Sequence, residues 1–197
     1  MRILAFTDMH GSTKALKEIK KKSKKADILV CCGDLTIFEQ HLRKWLLELN
    51  KLDKPVLIIP GNHENPTILK KVASNFDNII FMDARSFEME EYLILGAEGN
   101  GFSMVDKTFN KIAKAFLKIL KNNKKKYILM THAPPHNTKL DKIIDGHCGN
   151  KSVRNFIIKS KPDIAFSGHI HENNGKEDKI GKTRVINPGP YGKIVIV

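Results

Sequence analysis

Residues with metal-binding and acid–base side chains follow five of the predicted strands of this 197-residue chain. Each of those strands is followed by a carboxylate, an amide or a histidine, and five of the eight histidines lie at these positions. In layered α/β folds, ligands bind beyond the carboxyl ends of the strands. The candidate residues, in chain order, are Asp8, His10, Asp34, Asn62, His63, His132, His169 and His171.

Seven of these side chains are potential metal ligands, which is too many for one ion: Asp8, His10, Asp34, Asn62, His132, His169 and His171. Mixed imidazole and carboxylate ligands suit Mn²⁺, Fe, Zn²⁺, Ni²⁺ or Co²⁺ rather than Ca²⁺. Two ions about 3.5–4 Å apart, bridged by one carboxylate, would use all seven ligands. The positive charge of two divalent ions is larger than the negative charge of the two aspartates. The remaining positive charge would favour a bridging hydroxide and an anionic substrate such as a phosphate ester.

Short apolar runs alternate with segments of helical periodicity along the chain, and this predicts an α/β layered fold. The predicted strands are 2–7, 27–32, 55–60, 78–82, 92–96, 127–131, 163–167, 183–186 and 193–197. The predicted helices are 12–25, 37–51, 66–74, 106–121 and about 150–160. The first strands, separated by helices, should be parallel. The short turn region between the last two strands predicts that they form a hairpin.

Two helix starts have recognisable capping residues. Thr36, followed three residues later by Glu39, predicts a capping box for the helix over 37–51. Asn65, followed by proline, predicts the start of the next helix. Phe38 and Trp45 belong to an apolar stripe at helical spacing, so we expect both in the core.

Composition excludes several classes of protein. With 41% hydrophobic and 28% charged residues, the chain is expected to form one globular domain over residues 1–197. No apolar run approaches the roughly 18 residues of a transmembrane helix, and the first residues do not resemble a signal peptide, so a cytoplasmic location is expected. The net charge of +13 makes nucleic acid a possible partner, but no aromatic residues interleave with the lysine clusters at 17–25 and 121–126, so it is not favoured.

The chain resembles the calcineurin-like metallophosphoesterase superfamily through five blocks in order: Asp8-x-His10, Gly33-Asp34, Gly61-Asn62-His63-Glu64, His132 and Gly168-His169-x-His171. The surrounding residues are similar to a small single-domain branch related to the animal brain metallophosphoesterase-domain proteins. The resemblance implies a four-layer α-β-β-α sandwich of two mixed sheets flanked by helices. It also implies a ligand split: Asp8, His10 and His171 for one ion, Asn62, His132 and His169 for the other, and Asp34 as the bridge.

The same resemblance implies catalytic roles. Asp34 would bridge two ions, of which Mn²⁺ is the expected kind, with Ni²⁺, Fe²⁺, Co²⁺ or Zn²⁺ as alternatives. A bridging hydroxide would attack phosphorus, and His63 would donate a proton to the leaving group or stabilise its developing charge. Asn62 and His63 would contact the substrate. His147, in a glycine-bearing loop, is either a further phosphate contact or a solvated loop histidine.

Two positions depart from the protein Ser/Thr phosphatases of this superfamily. There, Gly-Asp is followed by x-x-Asp-Arg-Gly, whereas Ile37 and Phe38 occupy the Asp and Arg positions here. The acidic residue that would orient His63 is therefore missing from its usual place, and the arginine that would bind a phosphomonoester dianion is also missing. This favours a phosphodiesterase acting on small substrates such as cyclic nucleotides. The alternatives are a nuclease and a non-catalytic metal-binding scaffold of the same fold, and the oligomeric state stays open.

Overall fold

The computed structural model of the chain describes residues 1–98 and 103–197. The strands are β1 (Arg2–Phe6), β2 (Ile28–Cys31), β3 (Val56–Ile58), β4 (Ile79–Phe81), β5 (Arg85–Met89), β6 (Tyr92–Ala97), β7 (Lys126–Thr131), β8 (Lys142–Ile143), β9 (Gly146–His147), β10 (Ile164–Phe166), β11 (Glu177–Ile180), β12 (Thr183–Ile186) and β13 (Lys193–Ile196). The helices are α1 (Thr13–Ser23), α2 (Leu42–Asn50), α3 (Pro66–Ala73), α4 (Lys107–Lys121) and α5 (Lys151–Ser160), with a 3₁₀ helix at His171–Asn173.

Two mixed sheets form the centre of the fold. The first has the order β13-β1-β2-β3-β4, and the second has the order β11-β12-β10-β7-β6-β5. The predicted parallel arrangement of the first strands is confirmed, since β1 to β4 are parallel and only β13 runs antiparallel, beside β1. In the second sheet the inner four strands are parallel, and the edge strands β5 and β11 are antiparallel.

Successive side chains of each strand point to opposite faces of the sheet, and this alternation produces the layers. Ile3, Val30 and Ile128 belong to an apolar cluster between the two sheets. Leu4 and Leu29, on the opposite face of the first sheet, pack with Trp45 of α2 in a second cluster. A third cluster joins the outer face of the second sheet to α4 and α5. The four-layer α-β-β-α sandwich is therefore confirmed. No helix among the described residues has the length and apolar character needed to cross a membrane.

The prediction of a closing hairpin is wrong. β12 pairs with β10 in the second sheet, whereas β13 crosses to the first sheet and places Ile194 opposite Leu4. Gly189 and Gly192, both at positive φ, turn the chain between the sheets. Val195 is buried in the inter-sheet cluster, and pairing with β1 covers a sheet edge that would otherwise be open. Burial of Val195 and pairing with β1 therefore decide the position of β13, although its connection to β12 is short.

The predicted start of α2 is also wrong. The helix begins at Leu42 rather than residue 37, and the Thr36 hydroxyl donates to Glu64 Oε1 at 2.8 Å instead of capping a helix. Glu39 Oε1 accepts the Asn65 N–H at 2.6 Å. Phe38, expected in the core, is 69% exposed. The Asn65 cap is confirmed, because its side chain accepts hydrogen bonds from the second and third residues of α3.

Candidate metal centre

All eight predicted site residues follow strand ends at one edge of the two sheets. Asp8, Asp34 and Asn62 follow β1, β2 and β3, whereas His132 and His169 follow β7 and β10 of the second sheet. Four of the eight adopt left-handed backbone conformations, namely Asp8 (φ 53°), His10 (45°), Asp34 (51°) and His169 (72°). Non-glycine residues in this conformation concentrate at functional sites, where the surrounding structure holds them against their local preference.

One group of donors contains Asp8, His10 and His171. The Nε2 atoms of the two histidines lie 3.0 Å apart, and His171 Nε2 lies 3.6 Å from Asp8 Oδ1. One ligand atom from each of the three residues lies within 4.8 Å of the others. The residues assigned to one ion by their sequence blocks are thus brought together.

A second group surrounds the Asn62 side chain, whose Oδ1 lies 2.9 Å from both His132 Nε2 and His169 Nδ1. The His132 Nδ1 lies 2.8 Å from the carbonyl oxygen of Cys32, which can only accept, so Nδ1 donates. In a neutral His132 ring, the Nε2 lone pair would then face the Asn62 oxygen. Two facing acceptors require a proton or a cation between them, so this donor set fits a metal ion.

Asp34 lies between the two groups. Its Oδ2 is 3.4 Å from His132 Nε2 and 3.8 Å from His10 Nε2, and its Oδ1 accepts the His63 N–H at 3.0 Å. Asp34 belongs with Asp8 and His132 to one candidate ligand group and with His10 and His63 to another. It is therefore placed where a bridging carboxylate would have to be.

Electrostatics reflect this crowding of donors. Burial lowers the pKa of His132, but its hydrogen bond and charge interaction with Asp34 outweigh burial and raise that pKa to about 9. Burial likewise opposes ionisation of Asp34, yet His132 holds the Asp34 pKa below its ordinary value. Burial, together with the charge of His132, lowers the pKa of His169 to about 4. All three shifts thus follow from burial and from the close approach of these side chains to one another.

Glu64 supports two of the loops that carry candidate metal ligands, a role that the sequence did not reveal. Its buried carboxylate accepts N–H bonds from Asp34 (3.0 Å), Thr36 (2.8 Å) and Gly61 (3.1 Å), and a bond from the Thr36 hydroxyl. Burial raises the pKa of Glu64 despite the donors from Thr36 and Gly61. The one signal in the sequence was its place at the end of the Gly-Asn-His-Glu block.

Two glycines allow the site loops to touch. A Cβ on Gly61 would lie 2.1 Å from Asp34 Oδ1, and one on Gly168 would lie 1.9 Å from Thr7 Oγ1 and 2.5 Å from Asp8 Oδ2. Real Cβ atoms do not approach so closely. These positions therefore need glycine because of close packing.

His63 is held by ring contacts. Its ring packs edge-on against His10 at 4.9 Å and tilted against Phe38 at 4.5 Å between centroids. Within residues 1–98 and 103–197, the buried His63 Nδ1 has no hydrogen-bond partner. Phe38 is a second site residue that the sequence pattern missed, because its spacing indicated a helix core.

His147 lies on the hairpin formed by β8 and β9. Its Nδ1 is 2.8 Å from Asp141 Oδ1. Asp141 is fully buried and also accepts backbone N–H bonds, including those of Thr138 and Gly149. Asn173 Nδ2 donates to the carbonyl of Lys142 at 3.1 Å, which holds this hairpin beside the 3₁₀ helix that begins at His171.

Sequence comparison identifies the family of the chain. The profile of the calcineurin-like phosphoesterases matches residues 1–173. The chain belongs to this family. An uncharacterised protein of Methanocaldococcus jannaschii, MJ1162, is 35% identical over 207 residues, which span 99% of this chain and 91% of that protein. The resemblance found in the five sequence blocks is therefore confirmed.

Solved structures confirm the fold. The protein TT1561 of Thermus thermophilus superposes with a TM-score of 0.77 at 18% identity, covering 95% of this chain and 88% of that one. A dimetal phosphatase from Danio rerio superposes with a TM-score of 0.70 at 11% identity, covering 94% and 86%. An archaeal phosphodiesterase has a TM-score of 0.56 at 17% identity, covering 96% and 84%. At these identities the similarity concerns the architecture.

Proposed function

We propose that this protein is a two-metal phosphoesterase that hydrolyses small phosphodiesters. The observation that carries the proposal is the position of Asp34 between two sets of imidazole and carboxylate donors. Asp8, His10 and His171 would hold one ion, Asn62, His132 and His169 the other, and Asp34 would bridge them. Mixed nitrogen and oxygen ligands suit Mn²⁺, and also Fe²⁺, Co²⁺, Ni²⁺ or Zn²⁺.

When bound, such ions would neutralise the phosphate charge and activate water for in-line attack. The chain's own residues would orient the substrate and transfer the proton. The Asn62 amide and the His63 ring would orient the phosphate, and His63 would pass a proton to the departing oxygen. The ring contacts with His10 and Phe38 would hold His63 in place of the acidic residue that related phosphatases carry at position 37.

His147 is proposed as a further contact to the substrate phosphate. Asp141 accepts the Nδ1–H of His147 and so fixes the ring, which leaves Nε2 available to a ligand. The support for this role is that Asn173, two residues after His171, donates to the carbonyls of Leu140 and Lys142 and so ties the hairpin to the segment that carries His171.

The proposed preference for diesters depends on residues 37 and 38. A monoester dianion carries one more negative charge than a diester and needs an additional cationic partner. Ile37 and Phe38 occupy the positions at which related phosphatases carry Asp and Arg, and neither can supply a positive charge. Of the three structures compared above, one is described as a phosphatase and one as a phosphodiesterase, so their names do not decide the preference.

Hydrolysis by metal-stripped protein, with and without added Mn²⁺, tests the proposal. Bis-p-nitrophenyl phosphate should be cleaved only with metal, and faster than p-nitrophenyl phosphate. His63→Ala should lower kcat by about 10²- to 10⁴-fold while two ions per chain remain bound. His41→Ala, which changes a histidine at the start of α2, is the matched control and should keep the wild-type rate.

The outcomes separate the alternatives. A protein that binds two ions but cleaves neither ester with Mn²⁺, Ni²⁺, Co²⁺ or Fe²⁺ would support the scaffold interpretation. Faster cleavage of the monoester would overturn the diester preference alone. An unchanged rate in His63→Ala would remove His63 from the mechanism.

A further inference from the structure

Phe38 is an exposed aromatic residue directly beside the candidate metal centre. It lies between β2 and α2, and 69% of its surface is open to solvent. Its φ of 46°, like the values of 56° at Glu39 and His41, is left-handed. An L-residue is less stable in this conformation than in its usual backbone geometry. The fold therefore holds an apolar ring outside the core at an energetic cost.

The segment that bears Phe38 is anchored on both sides. Thr36 donates two hydrogen bonds to Glu64, and Glu39 accepts the N–H of Asn65. Both contacts join it to the segment that carries His63. The ring of Phe38 is thereby fixed against the His63 ring, at 4.5 Å between centroids and 49° between planes. His63 also contacts His10, so the His63 ring lies between Phe38 and one of the proposed metal ligands.

We propose that Phe38 determines leaving-group specificity by stacking against a planar apolar group, such as an aryl ring or a nucleobase. This inference rests on the proposed function, in which His63 faces the leaving oxygen. A group attached to that oxygen would extend past His63 over the exposed part of the Phe38 ring. An aromatic ring at this position attracts another flat ring through area burial and stacking, whereas a small alkyl group gains little.

The direct test compares binding of phenylphosphonate and methylphosphonate to Mn²⁺-loaded protein by calorimetry. At a pH at which both probes are dianions they carry the same charged head, and neither is a hydrolysable ester. Stacking on one aromatic side chain corresponds to about 1–3 kcal/mol, which is roughly 5- to 150-fold in Kd. Wild-type protein should therefore prefer phenylphosphonate by at least about fivefold. Phe38→Ala should reduce this preference to about twofold or less, and Phe38→Leu should give an intermediate value.

Two further variants separate stacking from a general disturbance of the site. Phe38→Trp retains a flat ring and should keep the preference for phenylphosphonate. Ile68→Ala removes another exposed apolar side chain, which is 45% exposed on α3, and should leave the preference unchanged. Metal content and the urea midpoint of each variant are measured in parallel, and both should equal those of wild type.

Three results would overturn the inference: no preference in wild type, an unchanged preference in Phe38→Ala, or an equal loss of affinity for both probes. The last would make Phe38 a residue that only positions His63. Hydrolysis of bis-p-nitrophenyl phosphate by the same preparations separates the two proposals. If wild-type protein hydrolyses the diester but its preference for phenylphosphonate is the same in Phe38→Ala, only the stacking role is wrong. If the preference depends on Phe38 but no diester is hydrolysed, the proposed reaction is wrong.

Discussion

Glu64 shows how one buried side chain organises two functional loops. Its carboxylate is the shared acceptor for backbone donors of the loops that carry Asp34 and Asn62. Glu64→Ala would leave several buried donors unsatisfied, each of which costs about 1–3 kcal/mol. We expect the free energy of unfolding to fall by about 2–4 kcal/mol, as measured by urea titration.

Glu64→Gln is the control for this prediction. Its amide oxygen can replace one acceptor, while its NH₂ group faces donors, so an intermediate stability is expected. Metal content should decline in the same order as stability. An alanine variant as stable as wild type would contradict the supporting role of Glu64.

The sequence indicates which candidate ligands come together because strand ends are local features. Asp8, Asp34 and His132 each follow a buried apolar run, and parallel strands bring such ends to one edge. The roles of Glu64 and Phe38 depend instead on contacts with other loops. Phe38 fits the helical spacing of α2, and only the loop around Glu64 shows that the helix begins later.

At the scale of elements, the approach of β10 to β1 depends on Gly168. Gly168→Ala would drive a Cβ into Thr7 and Asp8, since the unrelaxed contacts would be 1.9 and 2.5 Å. We expect a loss of about 1–3 kcal/mol in unfolding free energy from overpacking, together with loss of bound metal. Urea titration and metal analysis measure the two effects.

Gly175→Ala is the comparison for this substitution. An added Cβ there meets open space, although its φ of +80° disfavours alanine. It should lose some stability but keep its metal content. Full metal occupancy in Gly168→Ala would show that the two strands can separate slightly without damage to the site.

The contact between α1 and α2 predicts a pH effect. Hydrogen bonds from Lys20 and Lys51 lower the pKa of Glu48 from 4.5 to about 2. A depressed carboxyl pKa stabilises the fold above the unfolded value, near pH 4.5, and this contribution disappears as pH falls towards 2. Because the pair is partly exposed, the effect at pH 7 should stay below about 1 kcal/mol.

Glu48→Gln tests this contact. Urea titrations at pH 7 and at pH 3 should show the variant less stable at neutral pH and closer to wild type in acid. If the difference in unfolding free energy between the variant and wild type increases as the pH falls, the sign of the effect is contradicted.

The strands and the strand pairing that the sequence failed to predict have physical reasons in common. β5 and β11 are edge strands with exposed polar residues, so they lack an apolar run. β13 contains such a run, but its partner β1 lies at the other end of the chain. Local patterns indicate which segments are strands, whereas edge coverage and burial between sheets decide which strands pair.

At the scale of the whole molecule, the charge of +13 favours weak association with polyanions. Part of that charge serves the fold, since Lys22 Nζ donates to the carbonyls of Tyr191 and Gly192. We expect any binding of duplex DNA to fall steeply between about 50 and 200 mM salt, and to proceed without cleavage. A gel-shift series with Mn²⁺ measures both, and cleavage that persists in salt would favour the nuclease alternative.

The candidate centre joins two sheets through residues far apart in sequence, such as His10 and His171. Its donors exist as a set only while the sheets remain packed. A cation held there would resist their separation, because opening the interface would release it. Amide hydrogen exchange in β1 and β10 should therefore slow together as metal is added, while the ends of the outer helices continue to exchange by local fraying. In this way a bound metal would stabilise the packing of the two sheets against each other.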